Sequence, residues 1–342
     1  MIPLFKVRMA PSAGPEVSKV LASGYIGEGP KVAELEGRLS ALWGREAVLT
    51  NSCTSAIDLA LHMIGVGPGA EVISTPITCT ATNAPIVRRG ARLIWADVDP
   101  LTGLLDPEDV RAKITALTKA IVAVDWGGAS CDWAALRSFG LPVIEDAAHA
   151  ILTPPGGDYV CYSFGPIKHL TCGDGGALLC PSPSRARLLR WYGLDRTSTA
   201  NFRCGQNIQE VGYKYHMNDI AATIGLANLP GLLPCVERCR ANAAWYNTAI
   251  RPDGKPAPDP LSSWWLYTMR VPNRRIFVER MGKMGVETGQ VHRRNDHHDG
   301  FPPGYGLHGV AEFDRQNVAI PVGWWVSDED RIKIARAVEA AL

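Results

Sequence analysis

Short apolar runs alternate with amphipathic stretches throughout residues 1–235, and few folds accommodate that rhythm. The runs Ala47–Ser52, Glu71–Thr75, Arg92–Val98, Ala120–Asp125, Pro142–Asp146, Tyr159–Phe164 and Gly176–Cys180 have the length of buried strands. Between them, Thr54–Ile64 and Asp106–Ile114 carry apolar residues at helical spacing. Asp106 is placed to cap the second, with Pro107 at the first helical position. Strand alternating with helix predicts an α/β fold: a three-layer large domain on a mostly parallel seven-stranded sheet. In such sheets ligands collect at the carboxyl ends of the strands.

The pattern changes at Leu229-Pro230-Gly231. A helix is expected over Leu232–Ala249, followed by the proline-rich stretch Arg251-Pro252-Asp253-Gly254-Lys255-Pro256-Ala257-Pro258. Beyond it, a strand is expected at Trp264–Val271 and helices at Arg275–Met284 and Asp328–Ala341. These predict a smaller α+β C-terminal domain, 236–342, after a large domain, 1–235. A chain of 342 residues suits two such lobes better than one.

Composition removes several function classes. A hydrophobic share of 46% with 20% charged residues describes a globular enzyme. The formal net charge of +1 offers no attraction to nucleic acid or to an anionic membrane. No apolar run is expected to reach the roughly 18–20 residues of a membrane span. The start, Met1-Ile2-Pro3-Leu4-Phe5-Lys6, lacks the basic-then-apolar shape of a secretory signal. Nine cysteines form no CxxC framework, so neither zinc nor a disulfide scaffold is expected, and the setting reads as reducing and cytoplasmic.

Lys168 follows the candidate strand ending at Ser163-Phe164 and precedes the glycine turn Gly173-Asp174-Gly175-Gly176. A random lysine is a surface lysine. Here glycines allow close backbone packing, and burial would lower the amine's pKa toward the range where it attacks a carbonyl. Asp146, in the turn Glu145-Asp146-Ala147-Ala148-His149, either caps a following helix or holds a protonated ring nitrogen. His149 would sit beside such a ring, or be structural. Asn51-Ser52-Cys53-Thr54-Ser55 opens a helix after a strand, where backbone N–H groups and the Thr54 and Ser55 hydroxyls suit a phosphate. The Ser163 hydroxyl could serve it too. A Schiff-base lysine paired with a ring-binding carboxylate points to pyridoxal 5'-phosphate. Gly65-Val66-Gly67-Pro68-Gly69 reads as a turn, and no Walker or dinucleotide fingerprint occurs.

These pieces, in this order, resemble the DegT/DnrJ family of sugar aminotransferases, which share the fold of aspartate aminotransferase. The resemblance runs nearly end to end. It begins at Ser23-Gly24-Tyr25-Ile26-Gly27-Glu28-Gly29-Pro30-Lys31-Val32 and passes through Cys53-Thr54, the Glu145–His149 turn and the Lys168 block. It continues in Gly212-Tyr213-Lys214-Tyr215-His216-Met217-Asn218-Asp219. The resemblance implies that Lys168 bonds the cofactor and shuttles protons, that Asp146 pairs with the pyridine nitrogen, and that His149 contacts the ring. Ser163, Thr54 and the Cys53 backbone would hold phosphate. It also implies a homodimer, with Lys214 reaching the neighbouring subunit's phosphate.

Several positions depart from the family pattern. Lys214 stands where asparagine is usual, His216 where arginine is usual, and Asp174 where glutamate is usual. Thr153-Pro154-Pro155-Gly156-Gly157-Asp158 is a shortened link. Near Thr78-Cys79-Thr80 an aromatic residue commonly stacks on the cofactor, so Cys79 or Thr78 would have to serve. Val291-His292-Arg293-Arg294-Asn295-Asp296-His297-His298 has no metal-site spacing and reads as a solvated loop. The resemblance instead sets it over the sugar pocket, with His292, Arg293 and Arg294 on the substrate and Tyr25 at the pocket edge. Trp264, Trp265, Trp324 and Trp325 are expected in core or interface.

The expected activity is transfer of an amino group from glutamate to a keto sugar, a nucleotide-linked keto-deoxysugar by the resemblance, in amino-sugar biosynthesis for surface polysaccharide or secondary metabolite. Rival readings are a sugar dehydratase of the same fold, which typically has histidine at the lysine position, a cyclitol aminotransferase, and a non-catalytic regulatory homologue.

Overall fold

The computed structural model describes residues 1–196, 205–250, 254–256 and 259–342. Parts of the proline-rich stretch, residues 251–253 and 257–258, lie outside the described residues, as does Cys204. Seven strands, β1 (Ala47–Thr50), β2 (Glu71–Ser74), β3 (Arg92–Trp95), β4 (Thr118–Val124), β5 (Val143–Asp146), β6 (Tyr159–Ser163) and β7 (Gly176–Leu179), make one sheet. Its spatial order is β1-β7-β6-β5-β4-β2-β3. Strands β1, β2, β5 and β7 are buried at every residue, which is why they read as continuous apolar runs rather than alternating ones. Only β7 runs against its neighbours; it pairs antiparallel with both β1 and β6.

Helices cover both faces. The early ones are α1 (Ala13–Ser23), α2 (Pro30–Trp43), α3 (Cys53–Ile64), α4 (Thr80–Arg88), α5 (Pro107–Lys113) and α6 (Trp133–Arg137). Asp106 caps α5 through Glu108 N–H, as its sequence implied. Ile57 and Leu61 of α3 and Ile86 of α4 pack with Val72, Val122, Ile144 and Leu178 on one face. Leu35 and Leu39 of α2 pack with Leu49, Val160 and Tyr162 on the other, beside Val110 and Leu136 of α5 and α6. This is the expected three-layer arrangement.

After α7 (Pro183–Leu189) and α8 (Asp219–Asn228), the long α9 (Leu232–Ala249) joins two cores. Its Leu232 and Val236 pack under the large sheet, whereas Cys239, Ala243 and Tyr246 belong to a second core. That core lies between α9, α10 (Arg274–Lys283), α12 (Asp328–Ala341) and the antiparallel pair β8 (Tyr267–Arg270) with β9 (Asn317–Ile320); α11 (His308–Gln316) leads into β9. The strand expected from Trp264 begins only at Tyr267. Ser263 and Leu266 donate their N–H groups to Gly128 and Gly127 instead of to a neighbouring strand, and Trp264 takes a left-handed φ of 48°.

One helical run, Asp219–Ala249, corrects the expectation about span length: by length and composition it could cross a membrane. The break at Leu229–Gly231 and the burial of Ala222, Leu232, Val236 and Tyr246 in the protein's own cores mark it as core structure.

Asp219 ties α8 to α2. Its buried carboxylate accepts N–H groups from Gly29 at 2.9 Å, Lys31 at 3.3 Å and Val32 at 3.0 Å, filling the donors at the start of α2. Asp219→Ala should therefore cost about 2–4 kcal/mol of stability. Denaturant melts check this, and Asp219→Asn, which keeps an acceptor, should cost less.

Candidate active site

Three strand ends meet because β7 is threaded backwards between β1 and β6. Gly176 pairs in register with both Thr50 and Ser163. A Cβ on it would lie 2.5 Å from the Cys53 nitrogen and the Ser52 carbonyl carbon, so no other residue allows this approach. The start of α3 and the end of β6 are thus pressed together, one strand away from Asp146 at the end of β5. They border a cavity of about 480 Å³, the size of a small-ligand site.

Ser52, Cys53 and Thr54 form one wall. Ser52 Oγ caps α3 by accepting Ser55 N–H at 3.1 Å, and Ser55 Oγ donates to Asn51 Oδ1 at 2.6 Å. Ser55 is therefore turned into the cap, and Thr54 faces the cavity together with Ser163.

Asp146 is buried and lines the same cavity. Its Oδ2 accepts the Thr82 hydroxyl at 2.6 Å and its Oδ1 accepts Ala148 N–H at 3.0 Å, with the Cys53 thiol at 3.8 Å. No helix follows it, so the capping alternative falls; the Ala148 contact is a local turn. Burial raises its pKa above the usual carboxylate range, against the pull of Thr82 and Ala148. Among the described residues it forms no salt bridge, and a cationic ligand group would relieve that burial.

Lys168 sits in the turn after β6, its N–H donated to Gly165. Burial pulls its pKa from 10.5 down to about 8, with Asp146, Cys53 and Cys79 opposing. Near neutrality a useful fraction is therefore an uncharged nucleophile. The amine lies 3.6 Å from the centre of the Trp265 ring.

His149 stacks on Trp265 at 3.9 Å with 19° between planes, and Gly127 N–H donates to its Nδ1 at 3.3 Å. An accepting Nδ1 places the single proton on Nε2. Burial first, then Lys168, His292 and His169, hold the imidazole neutral, well below its ordinary pKa. His292 lies parallel to it at 5.9 Å and is pushed down to about 4, again chiefly by burial.

Of the residues singled out in the sequence, Lys168, Cys53, Thr54, Cys79, Asp146, His149, Ser163 and His292 line this one cavity. Four others do not line it. Lys214 is exposed beside Asn51, whose amide donates to its carbonyl at 3.3 Å. Tyr25 is half exposed over Gly29. Arg293 is exposed and donates to the His297 carbonyl. Arg294 is buried in a two-pronged pair with Asp296 at 2.7 and 2.6 Å. The sequence reading missed Thr82, one helical turn beyond Thr78, and it assigned Trp265 to core or interface. Trp265 is buried in the core as expected, and from there it also places an aromatic ring in a cavity whose Thr78–Thr80 segment supplies none.

Residues 9–338 match the DegT/DnrJ/EryC1/StrS aminotransferase family, and the chain belongs to it. It is 36% identical over 289 residues to the spore coat polysaccharide biosynthesis protein SpsC of Bacillus subtilis (strain 168), spanning 78% of this chain and 74% of that protein. The structure of the sugar aminotransferase CalS13 from Micromonospora echinospora superposes with a TM-score of 0.94 at 35% identity, over 100% of both chains. AtS13 from Actinomadura melliaura superposes with a TM-score of 0.93 at 38% identity, over 99% of this chain and 98% of its own. The protein is a pyridoxal-phosphate-dependent aminotransferase.

The cavity fits that cofactor: a helix start with hydroxyls for a phosphate, a buried carboxyl with no salt bridge among the described residues, and a lysine whose amine is neutral enough to react. Lys168 loses its proton as pH rises through about 8. Capture of pyridoxal phosphate by apo protein should accelerate about tenfold per pH unit below that point and level off above it. Stopped-flow absorbance checks this; a profile still climbing steeply at pH 10 would contradict the buried amine.

Proposed function

We propose that this aminotransferase carries nitrogen from glutamate to the ketone of a nucleotide-linked keto-deoxysugar, supplying an amino sugar for polysaccharide or secondary-metabolite assembly. The observation that carries the reading is the meeting of the Lys168 amine, the Asp146 carboxyl and the start of α3 in one cavity. When bound, the cofactor supplies an electron sink for the carbon that loses its proton. In this reading the Cys53 backbone, Thr54 and Ser163 hold the phosphate, Asp146 keeps the ring nitrogen protonated, and His149 and Cys79 flank the ring. Lys168 Nζ would take the proton from the reacting carbon and return it to the cofactor carbon on the far side of the transferred nitrogen, two atoms away. His292 faces the sugar. Arg293, exposed beside it, is left for an anionic nucleotide, while Arg294 holds the loop through Asp296.

Lys168 supplies the one ammonium group of the described cavity lining. Donor and acceptor therefore use the same space in turn, as ping-pong kinetics require. The outward positions of Lys214 and Tyr25 support a homodimer in which each reaches the neighbouring site. The large domain, 1–235, would hold the cofactor, and the small domain, 236–342, would close the cavity with Trp265 and His292. The described cysteines are all unpaired, in keeping with a cytoplasmic setting. The names of SpsC and CalS13 support polysaccharide or sugar chemistry, as does the family.

Lys168→Ala should abolish both the visible absorbance of bound cofactor and its bleaching by glutamate; retained bleaching would refute the assignment. Asp146→Ala should lower turnover about 10²–10³-fold. Mixing the glutamate-treated enzyme with a panel of nucleotide-linked and free keto sugars should restore the absorbance with the nucleotide-linked ones first. Restoration by free cyclitol ketones alone would reject the substrate assigned.

A further inference from the structure

Lys168 and Trp265 meet more closely than the chemistry of the lysine requires. Nζ lies 3.6 Å from the indole centroid, well inside the roughly 6 Å reach of a cation–π contact. The indole is held from several sides. Its N–H donates to the Ile167 carbonyl at 3.0 Å, His149 stacks on it at 3.9 Å, and Phe5 lies 5.1 Å away. Trp265 is 7% exposed and sits just before β8, so the smaller sheet holds this ring against the residue preceding Lys168.

We propose that the face of Trp265 is the seat of the Lys168 ammonium whenever Nζ is not bonded to the cofactor, which makes Trp265 a positioning residue for the lysine's proton. The inference rests on Lys168 being the cofactor-bonded lysine. Each time that bond opens, the amine takes up the proton released by the substrate carbon and becomes a buried cation. It has no carboxylate to itself. Asp146 on β5 is engaged by Thr82, Ala148 and Cys53, and Asp174, in the glycine turn before β7, accepts the Gly175 N–H. The other titratable groups around Nζ are the thiols of Cys53 on α3 and Cys79 before α4, and the imidazoles of His149, His169 and His292, which burial and the Lys168 charge push toward their neutral forms.

Magnitudes show why a ring suits this place better than a second acid. A carboxylate in contact favours the charged form by one to three pH units, which would lift the amine out of the neutral range. A desolvated aromatic face favours it by about one unit. The ammonium is then stable enough to be held in place and labile enough to give its proton back.

The test uses apo protein, so it does not depend on turnover. The pKa of Lys168 is read from the pH dependence of competitive acylation with acetic anhydride, quantified on the Lys168 peptide by mass spectrometry. Trp265→Met keeps apolar bulk without a π face and should lower that pKa by about one unit. Trp265→Phe keeps a face and should move it by less than half as much. Trp265→Leu replaces the Met variant if that one fails to fold. Equal shifts in the Met and Phe variants, no shift, or a rise would overturn the proposal, because a purely structural tryptophan predicts no difference between face and bulk. Borohydride reduction of the cofactor-loaded wild type, followed by peptide mapping, tests the underlying assignment separately: label away from Lys168 removes the premise, whatever the acylation profile shows.

Discussion

The close approach at Gly176 is the constraint on which the site depends. A parallel strand at that position would carry its carboxyl end toward the cavity and would need a long crossover to enter. By running backwards, β7 enters from the cavity side through the glycine turn that follows Lys168. Its first residue touches the start of α3 and the end of β6 at once. The phosphate-type wall and the lysine turn are therefore fixed by one short stretch of backbone. Any side chain at Gly176 would push Ser52 and Cys53 away from the end of β6.

The second governing feature is dry, nearly uncharged surroundings. Burial acts on four of the groups that line the cavity in the direction that removes charge: the Lys168 amine and the imidazoles of His149 and His292 go down, and Asp146 goes up. Such a cavity is costly to hold with single charges but strong in its effect on a ligand that brings its own, because fields are weakly screened there. Stacked rings fill the role that water would otherwise take. Trp126 stands edge-on to both His149 and His292, and Trp265 lies flat on His149. Trp126 follows β4 of the large sheet and Trp265 precedes β8 of the small one, so segments from both ends of the chain meet in one core beside the lysine.

Much of the fold was legible because β1, β2, β5 and β7 are buried on both faces and must be apolar throughout, while helices between them keep one polar side. The site was legible where its parts lie at strand ends and helix starts, since α/β sheets gather such ends on one side. Lys168, Asp146, Thr54 and Ser163 could be picked out for that reason. Arg294 and Arg293 could not be told apart by sequence: both are arginines in one polar loop, and only the nearby Asp296 carboxylate, closed onto Arg294, distinguishes them. The start of the strand expected at Trp264–Val271 was misread because the backbone donors of Ser263 and Leu266 find partners at Gly128 and Gly127, far away in sequence.

The chain's own order of residues determined the layered α/β architecture, the cofactor's chemical class and the candidate lysine, because each of these follows from local periodicity or from residue types a few positions apart. Tertiary structure alone decided that Trp265 packs in the core against His149 and Lys168, that Thr82 supports Asp146, and that Lys214 and Tyr25 do not line the cavity. Those outcomes are set by which distant segment fills the space next to a side chain. Packing of that kind leaves no periodic trace in the sequence.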